Sequence, residues 1–311
     1  MIPVSTYEAY GAALMENDRQ ARAALAAIVS EIDPSDINAV RDTLLEAYPA
    51  LVKIYGERAA QVALEFYMGV RDAQRVTAVF YPYLEPISES ERTECIADVR
   101  REVGNLYSGK SDIGRFLSTM QGLATNRTMG LADRTLYALA DADPAHPKVA
   151  LVPHAGACGW CVLIGSRGFT NTEEAMGNMR HNGCKCTTVV DFDRKNPALT
   201  GYYPDDLKEY YYEAAHNQKF ADEWNSMSEE ERAKYVRRTR DRTGAIKEHP
   251  GDWGTYVRNR TLQEMNVLLG KTKASKKGAA GPDGVVHHVN VSSVWRHRWG
   301  GDSMKGGYMG F

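Results

Sequence analysis

Apolar residues recur at threes and fours from Tyr7 to Ile32, through Tyr10, Leu14, Ala21, Leu25 and Ile28. That period predicts a long helix with one buried face. Asp33-Pro34 stops it, and Ser35 or Asp36 can cap a second helix whose face is Ile37, Val40, Leu44, Leu45 and Tyr48. Pro49 suits the first turn of a further helix, along which Leu51, Val52, Tyr55, Ala59, Val62, Phe66 and Val70 form one stripe. Tyr81-Pro82-Tyr83-Leu84-Glu85-Pro86 breaks the pattern. Ser88 and Glu91 then read as a capping box for a helix reaching Tyr107 by way of Ile96, Val99, Val103 and Leu106. Another helix runs from Asp112 through Phe116, Met120 and Leu123, and a shorter one reaches Leu139. Residues 1–140 are therefore predicted to be a helical domain.

The run Asp141 to Pro147, with two prolines among its acids, stops helix and strand alike and marks a boundary. Beyond it the period changes. Val149–Val152 and Thr187–Phe192 are β-rich, with a short helix expected at Thr172–Met179 between them, so 141–203 reads as a small α+β unit. The helical period resumes at Tyr203-Pro204-Asp205-Asp206. A second start at Ser228–Glu231 predicts a helix through Tyr235 and Val236, and Thr255–Leu269 predicts a third, so 204–270 forms a C-terminal helical region. The remainder, 271–311, is a basic, Gly-rich tail that is disordered or folds only against a partner. The fold class is mostly α around one small α+β unit.

Composition adds two constraints. A chain of 311 residues, 43% hydrophobic and 25% charged, can bury a core in one large domain or two. It carries neither an apolar run of about 18 residues nor a basic-then-apolar leader, which points away from membranes and secretion. The net charge of −2 hides an imbalance: Glu231–Arg260 holds nine Lys/Arg against four acids, and Lys271–Phe311 seven against two. Such a basic end is a solvated helix face with a tail, or a surface for nucleic acid or an acidic partner.

The candidate chemistry lies in the middle unit. Four of the five cysteines fall in Cys158-Gly159-Trp160-Cys161 and in His181-Asn182-Gly183-Cys184-Lys185-Cys186. A CxxC turn followed by H-x-x-C-x-C offers soft ligands from two short knuckles, the pattern of a tetrahedral structural zinc. Cys158, Cys161, His181, Cys184 and Cys186 are five candidates for four places, and the spacing does not say which is surplus. His154 is a possible substitute. The unit is poor in apolar residues, so a metal would contribute folding energy. Disulfides, a Cys158–Cys161 redox pair and unliganded core thiols are the rival readings. The redox pair should open a helix, whereas Val162-Leu163-Ile164 reads as strand or buried turn. Cys95, on a helical stripe, reads as a small core residue.

No catalytic set emerges. Gly270-Lys271-Thr272 resembles the end of a phosphate loop, but Met265 stands where its first glycine belongs. Neither Ser118 nor Ser166 has a nucleophile setting, His287-His288 lies far from the knuckles, and the carboxylates sit on helix faces.

The runs Val152–Cys161 and Arg180–Phe192 resemble the MuF-type minor head proteins of tailed bacteriophages, including versions from actinobacterial phages labelled capsid maturation protease. Leu51–Ala60 and Phe66–Arg71 are similar to the helical part of those proteins, so the resemblance spans about Pro49 to Phe192. It implies a virion protein inside the phage head, present in the host cytoplasm during assembly. Its implied partners are the portal and the major capsid protein, with packaged DNA reached through the basic C-terminal region. The protease label implies an alternative, a maturation protease or other virion-associated enzyme, for which the chain shows no visible residues. A host-directed effector ejected with the DNA is a third reading.

Overall fold

A computed structural model describes residues 1–84, 87–154, 157–172, 183–215, 217–240 and 246–269. These fall into two compact units, Met1–His154 with Gly168–Tyr202, and Ala155–Arg167 with the chain from Tyr203 onward. The described chain is mostly helical, as its periodicity predicts.

The first unit is built on four long helices: α1 (Val4–Ser30), α2 (Ile37–Ala73), α3 (Glu89–Tyr107) and α4 (Ile113–Ala142). Helix α2 packs on the other three. Leu25, Leu44, Tyr48, Val99, Phe116 and Met120 meet in its core, all with 1% exposure or less. Withdrawing each such side chain from water contributes on the order of 1.5–3 kcal/mol. The caps are those the sequence supplies: Asp36, Ser88 and Asp112 accept from the Ala39, Glu91 and Arg115 amides. Cys95 is buried in this core, and burial pushes its thiol up to about 12, as befits an inert packing residue.

Two expected breaks are absent. Pro49 does not open a new helix but lies inside α2, where it removes one backbone hydrogen bond. Buried Leu44 and Tyr48 before it, and Leu51 and Val52 after it, hold the helix on course through the gap. Likewise α4 is continuous where two helices were predicted. The polar run Thr125 to Thr128 interrupts its stripe in sequence, but neighbouring helices meet two of its groups, and Thr128 donates to the Ala124 carbonyl within α4. Thr125 donates to the Asp18 carboxylate of α1, and Arg127 donates twice to Asp98 of α3, at 2.8 and 3.0 Å.

Asp141–Pro147 ends α4 as predicted, yet Asp143 is fully buried there. It accepts from Arg71 Nε at 2.8 Å and from Tyr67 Oη at 2.9 Å. The chain then enters β1 (Lys148–Val152), paired antiparallel with β2 (Thr187–Asp191) in the register Lys148↔Asp191 to Val152↔Thr187. These are the two strands the composition predicts. Every residue of β2 is buried, and Tyr7 Oη of α1 lies 3.0 Å from Thr187 Oγ1. The helix expected at Thr172–Met179 falls largely outside the described residues.

The second unit comprises α5 (Gly159–Gly165), α6 (Pro204–Ala214), α7 (Asn217–Ser226), α8 (Glu229–Ala233), β3 (Arg237–Arg240), β4 (Ile246–His249) and α9 (Trp253–Leu268). Helix α9 packs against α5, α6 and α7. Ser228 and Glu231 form the capping box the sequence signals, but α8 ends at Ala233 instead of continuing through Val236. The cause is tertiary. Tyr235 packs edge-on to Tyr256 at 5.0 Å and tilts against Trp224 at 5.9 Å. Its carbonyl accepts the Asp252 amide at 2.9 Å. The chain between them runs out and back as the β3–β4 ribbon, which periodicity did not reveal. The tail 271–311 lies outside the described residues. Among the described residues no helix is long and apolar enough to cross a membrane.

Candidate metal centre

The two knuckles are positioned by different local devices. In the second, Gly183 takes a left-handed turn at φ 73°, and its amide donates to the Gly122 carbonyl of α4 at 3.0 Å. The chain then extends through Cys184, Lys185 and Cys186 directly into β2. Extended backbone alternates its side chains, so a C-x-C spacing turns both sulfurs one way. The burial agrees: Cys184 and Cys186 are each 1% exposed, while Lys185 between them is half-buried.

The first knuckle opens a helix. Cys158 is the N-cap residue of α5 and Cys161 completes its first turn, so Val162-Leu163-Ile164 is helical and not the strand or turn expected. Gly159 permits this placement against α9. A Cβ there would lie 2.9 Å from Met265 Cβ and 3.1 Å from the Leu262 carbonyl, and its amide donates to Asn266 Oδ1 at 2.7 Å. Sequence reasoning missed Asn266, which carries no motif and acts only through the packing of α9 on α5.

Cys161, Cys184 and Cys186 are all buried, and their Sγ atoms all lie within 4.8 Å of one another. A tetrahedral zinc with bonds of about 2.3 Å holds its sulfurs about 3.8 Å apart, so the grouping suits one shared ion. The five cysteines form no disulfide. Cys158, half-buried at the helix cap, is not in this trio, and neither is His154. His181 lies outside the described residues. Three of the five candidates are thus brought together, which leaves one place in a tetrahedral shell.

The donor set also bears on chemistry. The group consists of thiols alone, with no carboxylate or imidazole within it among the described residues. A hydrolytic zinc needs an open position and a general base. A dithiol catalyst needs an accessible thiolate. Cys158 does open a helix, as that rival requires, but Cys161 at 1% exposure is closed to a protein disulfide. Buried all-sulfur donors are what a soft structural cation uses.

The model of the VG15 protein family matches residues 1–214. The chain belongs to the VG15 family. The matched stretch includes the whole helical bundle, both knuckles and α6, so the cysteines fall within it. The VG15 name is that of a phage virion-related protein. No curated protein and no solved structure matches the chain.

Proposed function

We propose that this protein is a MuF-type minor head protein of a tailed bacteriophage, a structural part of the virion whose two cysteine knuckles are stapled by one zinc ion. The observation that carries the reading is the VG15 match over residues 1–214, because it covers the entire stretch, about Pro49 to Phe192, on which the MuF resemblance rests. The trio of buried thiols supports the staple. In this reading Cys161, Cys184 and Cys186 supply three thiolates, and Cys158 or His181 the fourth ligand. The metal's contribution is to folding: binding to the folded chain alone converts binding free energy into stability.

The partners that fit are the portal or the major capsid protein for the helical bundle, and packaged DNA for the basic C-terminal region. The place of action is the interior of the head, after assembly in the host cytoplasm. Purified particles test this directly. Cross-linking with mass spectrometry should recover the chain from mature heads, joined to portal or shell, with about one zinc per copy in the isolated protein. Absence from washed particles would sink the reading. Cleavage of capsid or scaffold protein by the purified chain, abolished by one substitution that leaves the fold intact, would replace it with the maturation-protease alternative.

A further inference from the structure

Helices α3 and α4 of the first unit are joined by a connected set of ion pairs that is one positive charge short. Arg127 meets Glu91, Glu94 and Asp98, with its Nη2 2.8 Å from Asp98 Oδ2. Arg134 Nη2 lies 2.7 Å from Glu91 Oε2, and Arg101 pairs with Asp98 at 3.0 Å and with Glu102 at 2.8 Å. Among the described residues, four carboxylates thus share three guanidiniums. One atom shows the shortfall. Glu91 Oε1 is buried on a side chain only 8% exposed, accepts no hydrogen bond among the described residues, and has Arg127 Nη1 no nearer than 3.5 Å. A buried carboxylate oxygen without a donor is costly, so a cation that completes it is favoured.

Glu91 lines a cavity of about 350 Å³ between the connection into α3 and the C-terminal half of α4. Two kinds of wall meet there. Leu84, Ile87, Leu131 and Ala138 give an apolar side, while Glu91, Glu94 and Thr135 give acceptors. Thr135 donates its own proton to the Leu131 carbonyl at 2.9 Å, which leaves its oxygen to accept. Arg134 also borders the cavity, but its charge is engaged on Glu91 Oε2. Gly56 of α2 makes room for the apolar side: a Cβ there would collide with Leu131 Cδ1 and lie 3.1 Å from Ile87 Cδ1. Across Glu91, a second cavity of about 350 Å³ between α2 and α3 has Lys53 and Arg92 in its lining, and so already has cations of its own.

We infer that the first cavity is a binding site for a primary alkylammonium ion, with the charged end beside Glu91 and the alkyl stem along Leu84, Ile87 and Leu131. The missing charge selects a cation. A single free carboxylate oxygen suits the compact ammonium with its three donors, whereas a guanidinium fork needs two parallel acceptors. The apolar wall selects a cation that carries a stem over a bare inorganic ion. The volume lies at the lower end of small-molecule sites, as a short aliphatic amine requires. A free amine and the lysine side chain of a protein offer this same chemistry.

The test is isothermal titration calorimetry of the full chain with n-pentylamine hydrochloride at neutral pH. Saturable binding with a Kd of about 1 mM or tighter is expected, with n-pentanol and ammonium chloride at least about tenfold weaker. Glu91→Gln should weaken the amine at least about tenfold. Ala138→Phe, at an exposed position of α4 that borders the cavity, should do the same by filling it. Circular dichroism checks that both variants fold, and should Glu91→Gln fail to, Ala138→Phe decides. Nα-acetyl-lysine methylamide binding as tightly as pentylamine would make the occupant a protein lysine, and binding of pentylamine alone would make it a free amine. No saturable binding by about 10 mM would overturn the assignment. So would equal affinity for n-pentanol or n-pentylguanidine, or unchanged binding in either folded variant.

Discussion

Arg71 Nε lies 2.8 Å from Asp143 Oδ2, joining the ends of α2 and α4 through a pair whose side chains are 8% and 0% exposed. The guanidinium also donates to the Val76 and Ala78 carbonyls and lies over the Phe80 ring at 5.5 Å, so one residue fixes the chain leaving α2. Replacing Asp143 by Ala strands a buried cation. The expected loss is about 3–5 kcal/mol, read from the urea midpoint. A loss under 1 kcal/mol would show that water reaches the pair.

The same pair sets an acid limit. Burial pushes the Asp143 pKa up, but hydrogen bonds from Arg71, the Ala145 amide and Tyr67 outweigh it and hold the carboxyl below its ordinary value. For a depressed folded-state pKa the stabilisation is complete above the unfolded value of about 3.9 and is lost as pH falls through the folded one. Wild-type stability should therefore drop more steeply below about pH 4 than that of Asp143→Asn. Parallel curves for the two would contradict this.

Tyr48 is fully buried in the helical core, and among the described residues its hydroxyl has no hydrogen-bond partner. Burial drives its pKa well above the usual phenol value. Removing an unsatisfied buried hydroxyl relieves a desolvation cost, so Tyr48→Phe should raise stability by about 1–2 kcal/mol. Thermal melts decide, and a destabilised Phe variant would mean the hydroxyl is bonded in solution.

Gly159→Ala places a methyl 2.9 Å from Met265 Cβ and 3.1 Å from a backbone carbonyl of α9. Neither is the loose end of a side chain, so α5 must move. A cost of about 1–3 kcal/mol is expected despite alanine's better helix propensity. Hydrogen exchange should show the loss at α5 and α9.

For the thiol trio, cobalt substitution should give the absorption of a tetrahedral thiolate site, and Cys161→Ser, Cys184→Ser and Cys186→Ser should each weaken it. Cys95→Ser should leave it intact, since Cys95 lies in the helical core apart from that group. Paired Cys158→Ser and His181→Ala variants identify the fourth ligand. Equal cobalt spectra in wild type and the three single variants would exclude a shared ion.

Much of this was legible in the residues. The stripes of Leu14, Leu25, Leu44 and Phe66 marked α1 and α2, and Asp36, Ser88 and Asp112 announced helix starts because a cap is a local device. Where partners distant in sequence decide, the pattern failed. Pro49 signals a helix start only if nothing holds the chain on both sides of it, and Thr125 to Thr128 look like a break until Asp18 and Asp98 are known to meet them. The ribbon at Arg237–His249 was hidden because its cause is Tyr235 settling on Trp224 and Tyr256. In the candidate site, spacing found the cysteines, but only folding separates Cys161, Cys184 and Cys186 from Cys158.

The pairing of β1 with β2 has a consequence for those thiols. Cys186 directly precedes Thr187, the residue opposite Val152, so strand alignment dictates on which side the sulfurs emerge. Shifting β2 by one residue would invert every side chain along it, sending Cys184 and Cys186 away from Cys161 together. A single-residue insertion between Cys186 and Thr187 would thus disarm the cluster while leaving all of its ligands in the chain.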